Sequence, residues 1–503
     1  MTRGLALLAA ASVCAVEYSP MGAAPTKPPS KKALDAYQKL LRKELLLSLP
    51  GANLSIGAEG VYAQTDMPPR ALALSIPSKY VLTVQEALGS GVGSYINKRS
   101  RELPRTIPRH FILAMWVLFE KHMVGPRSRG LWHAWIDTLP PLDNCTYFWS
   151  EAELELLEEE RALKKTYARR RKLEEEFHSL VRVLLAGGLQ DELPDGVQIA
   201  LADYAWAIHV VTRYALHLAW DFPILVPLSF RLHPIAASEL LEFGEQSDPS
   251  IALYVAPEGV RKGAEFTVPY EDGAFNEDLL LHAGYVWDEL AATRPRLMLS
   301  EGTRDLALPI ERRRRRLRDA ANWSSPMDFE QSSDELNAEM LAWLRLSFAN
   351  AAELDAIVAA REDCSAPLSP YGHSDTEDQV VRALLATIDQ QLSRYDHSVE
   401  EDEHILEHSR RTGKKLSPRA EIAVTYRKLS KQVLQRTASM AREHFKAYQQ
   451  RRLPHGVRKS GAIGRQESAD HGQVHELEPV EKKAKRKRKK RRKTGKPHNK
   501  DEL

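Results

Sequence analysis

Cysteine is scarce, with three residues in 503. If Cys14 is lost with a leader, only Cys145 and Cys364 remain, so at most one internal disulfide is available and a disulfide scaffold is excluded. No run of 18 or more apolar residues occurs, which argues against a membrane-spanning helix. No P-loop, dinucleotide fingerprint or G-x-S-x-G elbow is present. The 29 prolines, spread along the chain, argue against a rod or collagen, and the length suggests two or three domains. A net charge of +3 conceals an uneven distribution. Residues 482–493 (KKAKRKRKKRRK) are almost wholly basic, so the remainder is mildly acidic at about −8.

The two ends carry addresses. Residues 1–15 (MTRGLALLAAASVCA) have one Arg, an apolar stretch and a small-residue exit, the pattern of a cleavable secretory signal. The last four residues, Lys500-Asp501-Glu502-Leu503, match the retrieval signal read by the KDEL-type receptor of the endoplasmic reticulum. The expected location is therefore the lumen of that compartment. Sequons at Asn53, Asn144 and Asn322 are compatible with it. The rival location is the nucleus, because the basic run taken alone reads as a nuclear signal or a polyanion-binding patch. Nucleic acid is the less favoured partner.

Between the ends, 16–33 reads as a linker. Leu34, Tyr37, Leu41 and Leu45 share one helical face. Residues 51–83 hold short apolar runs (GVYAQT, ALALSIP, YVLT) broken by Gly60, Pro68-Pro69 and Pro77, the pattern of small strands and turns. From 110 to 220 the pattern is helical. Ser150 with Glu153 forms a capping box that is expected to open a long charged helix. Residues 197–219 read as a largely buried helix. Strand patterns return at 251–256 and 265–269, followed by a helix at 276–286. From about 330 onward the pattern is helical, with Thr376 as the expected cap of one helix and Ser417-Pro418 starting another. Two β fragments separated by helices must meet in one sheet if they form a core.

That order resembles the SET-domain protein methyltransferases of the Rubisco large-subunit methyltransferase-like and actin-histidine methyltransferase-like class. The segments that carry the resemblance are ALALSIPSKYVLT, LFEKH, WHAWIDTLP, FWSEAELELL, YAWAIHVVTRYAL, ILVPLSFRLHP and GAEFTVPYEDGAFNEDLLLHAGYV, with LSRYDHSVEEDEHIL and LSPRAEIAVTYRKLSKQVL further on. It implies an α+β fold. A split SET β-fold (34–105 and 221–295) is interrupted by a helical insertion (106–220) and followed by an all-α substrate-binding domain (296–450). A disordered basic tail is expected over 451–503.

The implied activity is S-adenosylmethionine-dependent N-methylation of lysine, or of histidine, in a protein partner docked on the helical domain. Tyr270 matches the tyrosine that orients acceptor and methyl group. Arg213 matches the arginine that grips the cofactor carboxylate, with Thr212 beside it. Gly60 matches a glycine at close backbone approach to the cofactor, although Ala58 replaces its companion. Asn276 matches a cofactor-side Asn and also reads as a helix-start cap. Where such enzymes have Asn-His, this chain has His233-Pro234, with Phe230 in the preceding acidic position; a one-residue shift would bring His233 into the histidine slot. Losing one or two such bonds costs about 1–3 kcal/mol. The alternative is therefore a SET-like binding module with an impaired cofactor site. Ala283, where lysine-directed members often carry a second tyrosine, resembles the histidine-directed branch. His404-x-x-Glu-His408 has zinc-peptidase spacing, but it lies in an acidic helical stretch with no third ligand and reads as a solvated face, so no metal is expected. The run Arg312–Arg316 reads as solvated.

Overall fold

The structure is a computed structural model. It describes residues 30–41, 43, 54–56, 60–122, 130–139, 144–217, 223–227, 233–235, 241–245, 250–255, 257–269, 275–300, 308–323, 326–359, 374–413 and 415–452. The chain divides into two units, Met1–Gln450 and Arg451–Leu503. The architecture below belongs to the first. Of the second, only the two residues that end the last helix are described. Residues 1–15, Asn53, Ala58, Phe230, Tyr270, Cys364, the basic run and the last four residues lie outside the described residues.

Helix α1 (Lys31–Leu41) buries Tyr37 and Leu41. Strands β1 (Leu54–Ile56) and β2 (Val61–Ala63) form an antiparallel pair, and β3 (Leu72–Pro77) follows. The capping box of Thr83 with Glu86 opens α2 (Val84–Gly89), and α3 (Gly91–Lys98) comes next. The insertion contains α4 (Arg109–His122), α5 (Leu131–Asp137), α6 (Glu151–Glu155), α7 (Glu160–Glu176), α8 (Arg182–Ala186) and α9 (Leu201–Tyr214). The short strands β4 (Leu216–His217) and β5 (Pro223–Ile224) pair with each other. Strands β6 (His233–Ile235), β7 (Leu241–Glu245), β8 (Ser250–Val255) and β9 (Thr267–Pro269) complete this part.

The two β fragments do meet. Antiparallel β3–β8 pairing sets Leu72 against Tyr254 and Pro77 against Ser250, and β7 lies on the other side of β8. Isolated bridges join Tyr62 to Glu265, Met67 to Val260 and Leu82 to Leu225. One apolar core runs from Tyr37 through α4, α5 and α9 to Phe266. Burying Trp135 and Trp206 completely within it contributes roughly 3 kcal/mol each.

The long charged helix expected after Ser150 is two helices. Ser150 does cap α6, with its amide on Glu153 Oε2 at 2.7 Å and its hydroxyl accepting from the Glu153 amide. The chain then breaks at Glu158, which takes a left-handed φ of +50°. Glu159 caps α7 by accepting from the amides of Arg161 and Ala162. A glutamate in that conformation is strained by about 1–3 kcal/mol, and its surroundings offset the strain. The Glu158 carboxylate, 7% exposed, takes hydrogen bonds from Arg427, from the His397 ring and from the amides of Asp396 and His397.

The carboxyl-terminal part also differs from the all-α expectation. It opens with an antiparallel ribbon of β10 (Arg296–Leu299) and β11 (Met327–Glu330), with α11 (Pro309–Ala320) between them. Helices α12 (Ala338–Phe348), α13 (Ala351–Ala359), α14 (Ser374–Leu392), α15 (Val399–Thr412) and α16 (Pro418–Arg452) follow. Leu297, Leu299 and Phe329 of the ribbon share a core with Met340, Trp343 and Leu384. Thr376 is not a cap: it lies within the first turn of α14 and donates to Glu353 Oε2 at 2.8 Å. Ser417 does accept from the Ala420 amide at the start of α16. His404 and His408 stack on an exposed face of α15. In the run Arg312–Arg316, Arg314 is bound to Glu311 and to the Ala349 carbonyl, and Arg313 to Asp355.

Candidate functional site

Helix α9 is buried on nearly every side, and Arg213 lies in its last turn. A half-buried guanidinium in such surroundings needs polar partners, because desolvating a cation is costly. Arg213 Nη1 donates to the Ala283 carbonyl at 2.5 Å, and the guanidinium carbon lies 5.2 Å from the Tyr285 ring centre and 5.6 Å from that of Tyr214. Thr212 turns back on its own helix, its hydroxyl donating to the Ile208 carbonyl at 2.9 Å.

The segment that receives Arg213 starts with α10 (Asn276–Asp278), continues as a wide π-helical turn to Ala283 and stops at Gly284. Gly284 has φ +71°, and a Cβ there would lie 2.8 Å from the backbone of Asn144 and Cys145. Only glycine lets this turn lie against the 144–148 segment. Asn276 is fully buried and is not a helix-start cap, since Phe275 occupies that place. Its amide nitrogen donates to the Trp287 carbonyl at 2.9 Å and to Thr293 Oγ1 at 2.8 Å, and its oxygen accepts from the Trp287 amide at 2.8 Å. Both amide hydrogens are thus spent on closing the loop beyond Gly284.

Gly60 is buried, and a Cβ there would lie 2.5 Å from Glu265 Oε1, so the backbone passes close to this neighbour. His233 starts β6, which pairs in parallel with β9: His233 faces Thr267, Pro234 faces Val268 and Ile235 faces Pro269. The next residue, Tyr270, lies outside the described residues, and so does the His233 side chain. The pairing nevertheless places the His233-Pro234 backbone beside the strand that leads to Tyr270. Arg213 and the 276–285 segment come together by direct contact.

Sequence reasoning missed a buried polar cluster one turn before Arg213. His209 Nδ1 lies 2.7 Å from Cys145 Sγ and 3.0 Å from the Tyr147 hydroxyl, and all three residues are buried. Burial holds the His209 pKa well below its usual range, with Arg213, His282 and Arg169 adding to the effect. Burial likewise pushes Tyr147 well up, and Tyr285 up to about 12. The one sequence signal was a histidine inside an apolar helix, YAWAIHVV. A neutral His209 leaves the cationic character of this corner to Arg213, with Arg169 also near. A fixed guanidinium flanked by aromatic rings is suited to hold a carboxylate.

Residues 303–434 match the family model described as Rubisco LSMT substrate-binding. Over 428 residues the chain is 22% identical to the chloroplastic [fructose-bisphosphate aldolase]-lysine N-methyltransferase of Arabidopsis thaliana, covering 81% of this chain and 82% of that protein. It is 22% identical over 427 residues to the actin-histidine N-methyltransferase of Homo sapiens, covering 82% of this chain and 68% of that protein. The crystal structure of the SET domain of LSMT bound to lysine and AdoHcy aligns with TM-score 0.63 at 19% identity, covering 86% of this chain and 98% of that one. Rubisco LSMT bound to AdoMet aligns with TM-score 0.60 at 18% identity, covering 85% and 97%. The fold is therefore that of the LSMT SET protein. In sequence the chain is similar to the aldolase-lysine and actin-histidine methyltransferases, and its residues 303–434 match the Rubisco LSMT substrate-binding model.

Proposed function

We propose that the chain is an S-adenosylmethionine-dependent protein N-methyltransferase acting on lysine, or on histidine, in a protein partner held by the carboxyl-terminal domain. The contact of Arg213 with the 276–285 segment carries this reading, because it joins two distant stretches into one half-buried cationic corner. The residues present fit the cofactor: Arg213 would hold its carboxylate, and the backbone at Gly60 would lie along it. When bound, the cofactor supplies a methyl group on a sulfonium sulfur. The chain's own work is alignment and exclusion of water. Tyr270 would orient the acceptor nitrogen. That nitrogen must be unprotonated, a state that burial favours in an amine.

The buried Ala283 leaves more room than a tyrosine would, which supports a bulky imidazole acceptor. A second reading, a SET-like protein-binding module with an impaired cofactor site, draws on two observations. Asn276 has no amide hydrogen left for a ligand, and Pro234 supplies no backbone donor in β6. Calorimetric titration of the purified chain with S-adenosylmethionine separates the two. The enzyme predicts saturable binding that Arg213→Met weakens by roughly 10- to 150-fold; absence of heat at about millimolar cofactor leaves the binding module.

A further inference from the structure

Between the insertion and the substrate-binding domain lies a cleft of about 200 Å³. Its floor is the outer face of the β10–β11 ribbon. Strand alternation points Leu297 and Leu299 into the core and Arg296 and Met298 outward, opposite Glu330 and Asp328. One wall is the start of α7, with Glu160, Arg161 and Lys164; the other is the end of α14, with Thr387, Gln390, Gln391 and, just beyond it, Arg394. Met298 is 55% exposed, more than any other exposed large hydrophobic side chain among the described residues. A flexible thioether on the floor of a polar cleft offers an adaptable apolar contact.

The charges at the rim are unevenly shared. Lys164 and Arg394 both lean on one carboxylate, Glu160, at 2.6 and 3.3 Å. Deeper in the cleft, Arg161 is bound by Glu277 and Asp328, and Arg296 by Glu330. At the outer rim two cations thus share the one carboxylate of Glu160, while Glu159 also lines the cleft. On one face of α14, Gln390 and Gln391 offer donors and acceptors suited to an extended backbone, and Thr387, whose hydroxyl donates to the Ala383 carbonyl, offers an acceptor.

We propose that this cleft docks an extended segment of the protein substrate in which an apolar side chain, seated on Met298, is followed or preceded by a carboxylate that pairs with Arg394 and Lys164. The proposal deepens the reading of the chain as a protein methyltransferase and rests on it for the word substrate. The lining alternates charges of both signs, Glu159, Glu160 and Asp328 beside Arg161, Lys164, Arg296 and Arg394, which suits a polypeptide of mixed character better than the uniform charge of a nucleic-acid backbone.

The test is fluorescence anisotropy on the full chain with dye-labelled peptides bearing Glu-Leu, Lys-Leu or Glu-Ser at the centre of a Gly/Ser background. The wild type is expected to prefer Glu-Leu. Met298→Ser and Arg394→Glu are each expected to weaken that peptide by about tenfold or more, and Arg394→Glu to turn the preference toward Lys-Leu. Both positions are substantially exposed, so melting temperatures should not move. Absence of saturable binding overturns the proposal. So does equal binding by the wild type and both variants, the result the basic tail alone would give. Binding that duplex DNA displaces and that only Arg394→Glu weakens overturns it in favour of a polyanion surface. Titrating S-adenosylmethionine into the same samples separates the two levels. Peptide binding without cofactor binding leaves the groove and removes the methyltransferase, whereas the reverse removes the groove alone.

Discussion

Arg213 and Ala283 are 70 residues apart in the chain, yet a guanidinium hydrogen bond of 2.5 Å closes the distance. The bond ties the last turn of α9 to the π-helical turn before Gly284. This guanidinium is the group proposed above to hold the cofactor carboxylate. Replacing Arg213 with Met removes a charge-assisted bond worth about 1.5–3 kcal/mol, a loss of roughly 10- to 150-fold in cofactor affinity. Calorimetry should show this loss in Arg213→Met. Arg213→Lys should recover little, since an ammonium does not reproduce a planar fork. Unchanged affinity in the Met variant would remove Arg213 from the site.

Gly284 and Gly413 offer a matched pair of backbone tests. Both have φ near +70°, so alanine at either strains the backbone by about 1–2 kcal/mol. Nothing lies within 4 Å of a Cβ at Gly413, whereas at Gly284 it would meet the backbone of Asn144 and Cys145 at 2.8 Å. Gly284→Ala should therefore cost clearly more in urea unfolding than Gly413→Ala. It should also weaken cofactor binding, because the turn that carries Ala283 must shift.

Much of this architecture was legible locally. The caps at Ser150 and Ser417 are where the sequence places them, because a cap depends on residues within one turn. The joining of the β fragments followed from the need of short strands for partners, and β3–β8 supplies it. The break between α6 and α7 was not legible. The partners that hold Glu158 in a left-handed conformation are Arg427 and His397, far along the chain, and no local pattern announces them. Asn276 misled as a cap for a related reason: Phe275 takes that place, while the side chain of Asn276 bonds Trp287 and Thr293. The β10–β11 ribbon was hidden because four-residue strands flanking a helix leave too short a pattern.

Breaking the Glu158 lock gives the next prediction. Glu158→Gln keeps the shape but removes the charge facing Arg427, which is 2% exposed and also bound by Asp402. Removing one partner of a buried ionic network typically costs about 3–5 kcal/mol; Asp402 remains, so the lower end, about 3 kcal/mol, is expected. Urea unfolding measures it. A double-mutant cycle with Arg427→Met should return a coupling well above that of the exposed Arg382–Asp378 pair. A coupling no larger than the surface pair would show that Glu158 is held for its backbone alone.

His209 makes stability depend on pH in a defined direction. Its imidazole binds a proton less readily in the folded chain than in the unfolded one, because burial opposes the charge and Arg213, His282 and Arg169 repel it. Below the ordinary imidazole pKa of about 6.5, the unfolded chain therefore holds the extra proton. The stability associated with neutral His209 is complete above that value and drains away as the pH falls through it toward the lower folded pKa. His122 is shifted the same way by burial, with Lys121 adding, so the wild-type slope alone does not isolate one residue. His209→Gln does, since it cannot titrate. Its urea stability should be lower than wild type at about pH 7.5, where the contacts with Cys145 and Tyr147 are disturbed, and the deficit should narrow toward about pH 5. A deficit constant across that range would mean that His209 is protonated to the same extent in both states, and the reading of a neutral imidazole beneath Arg213 would fail.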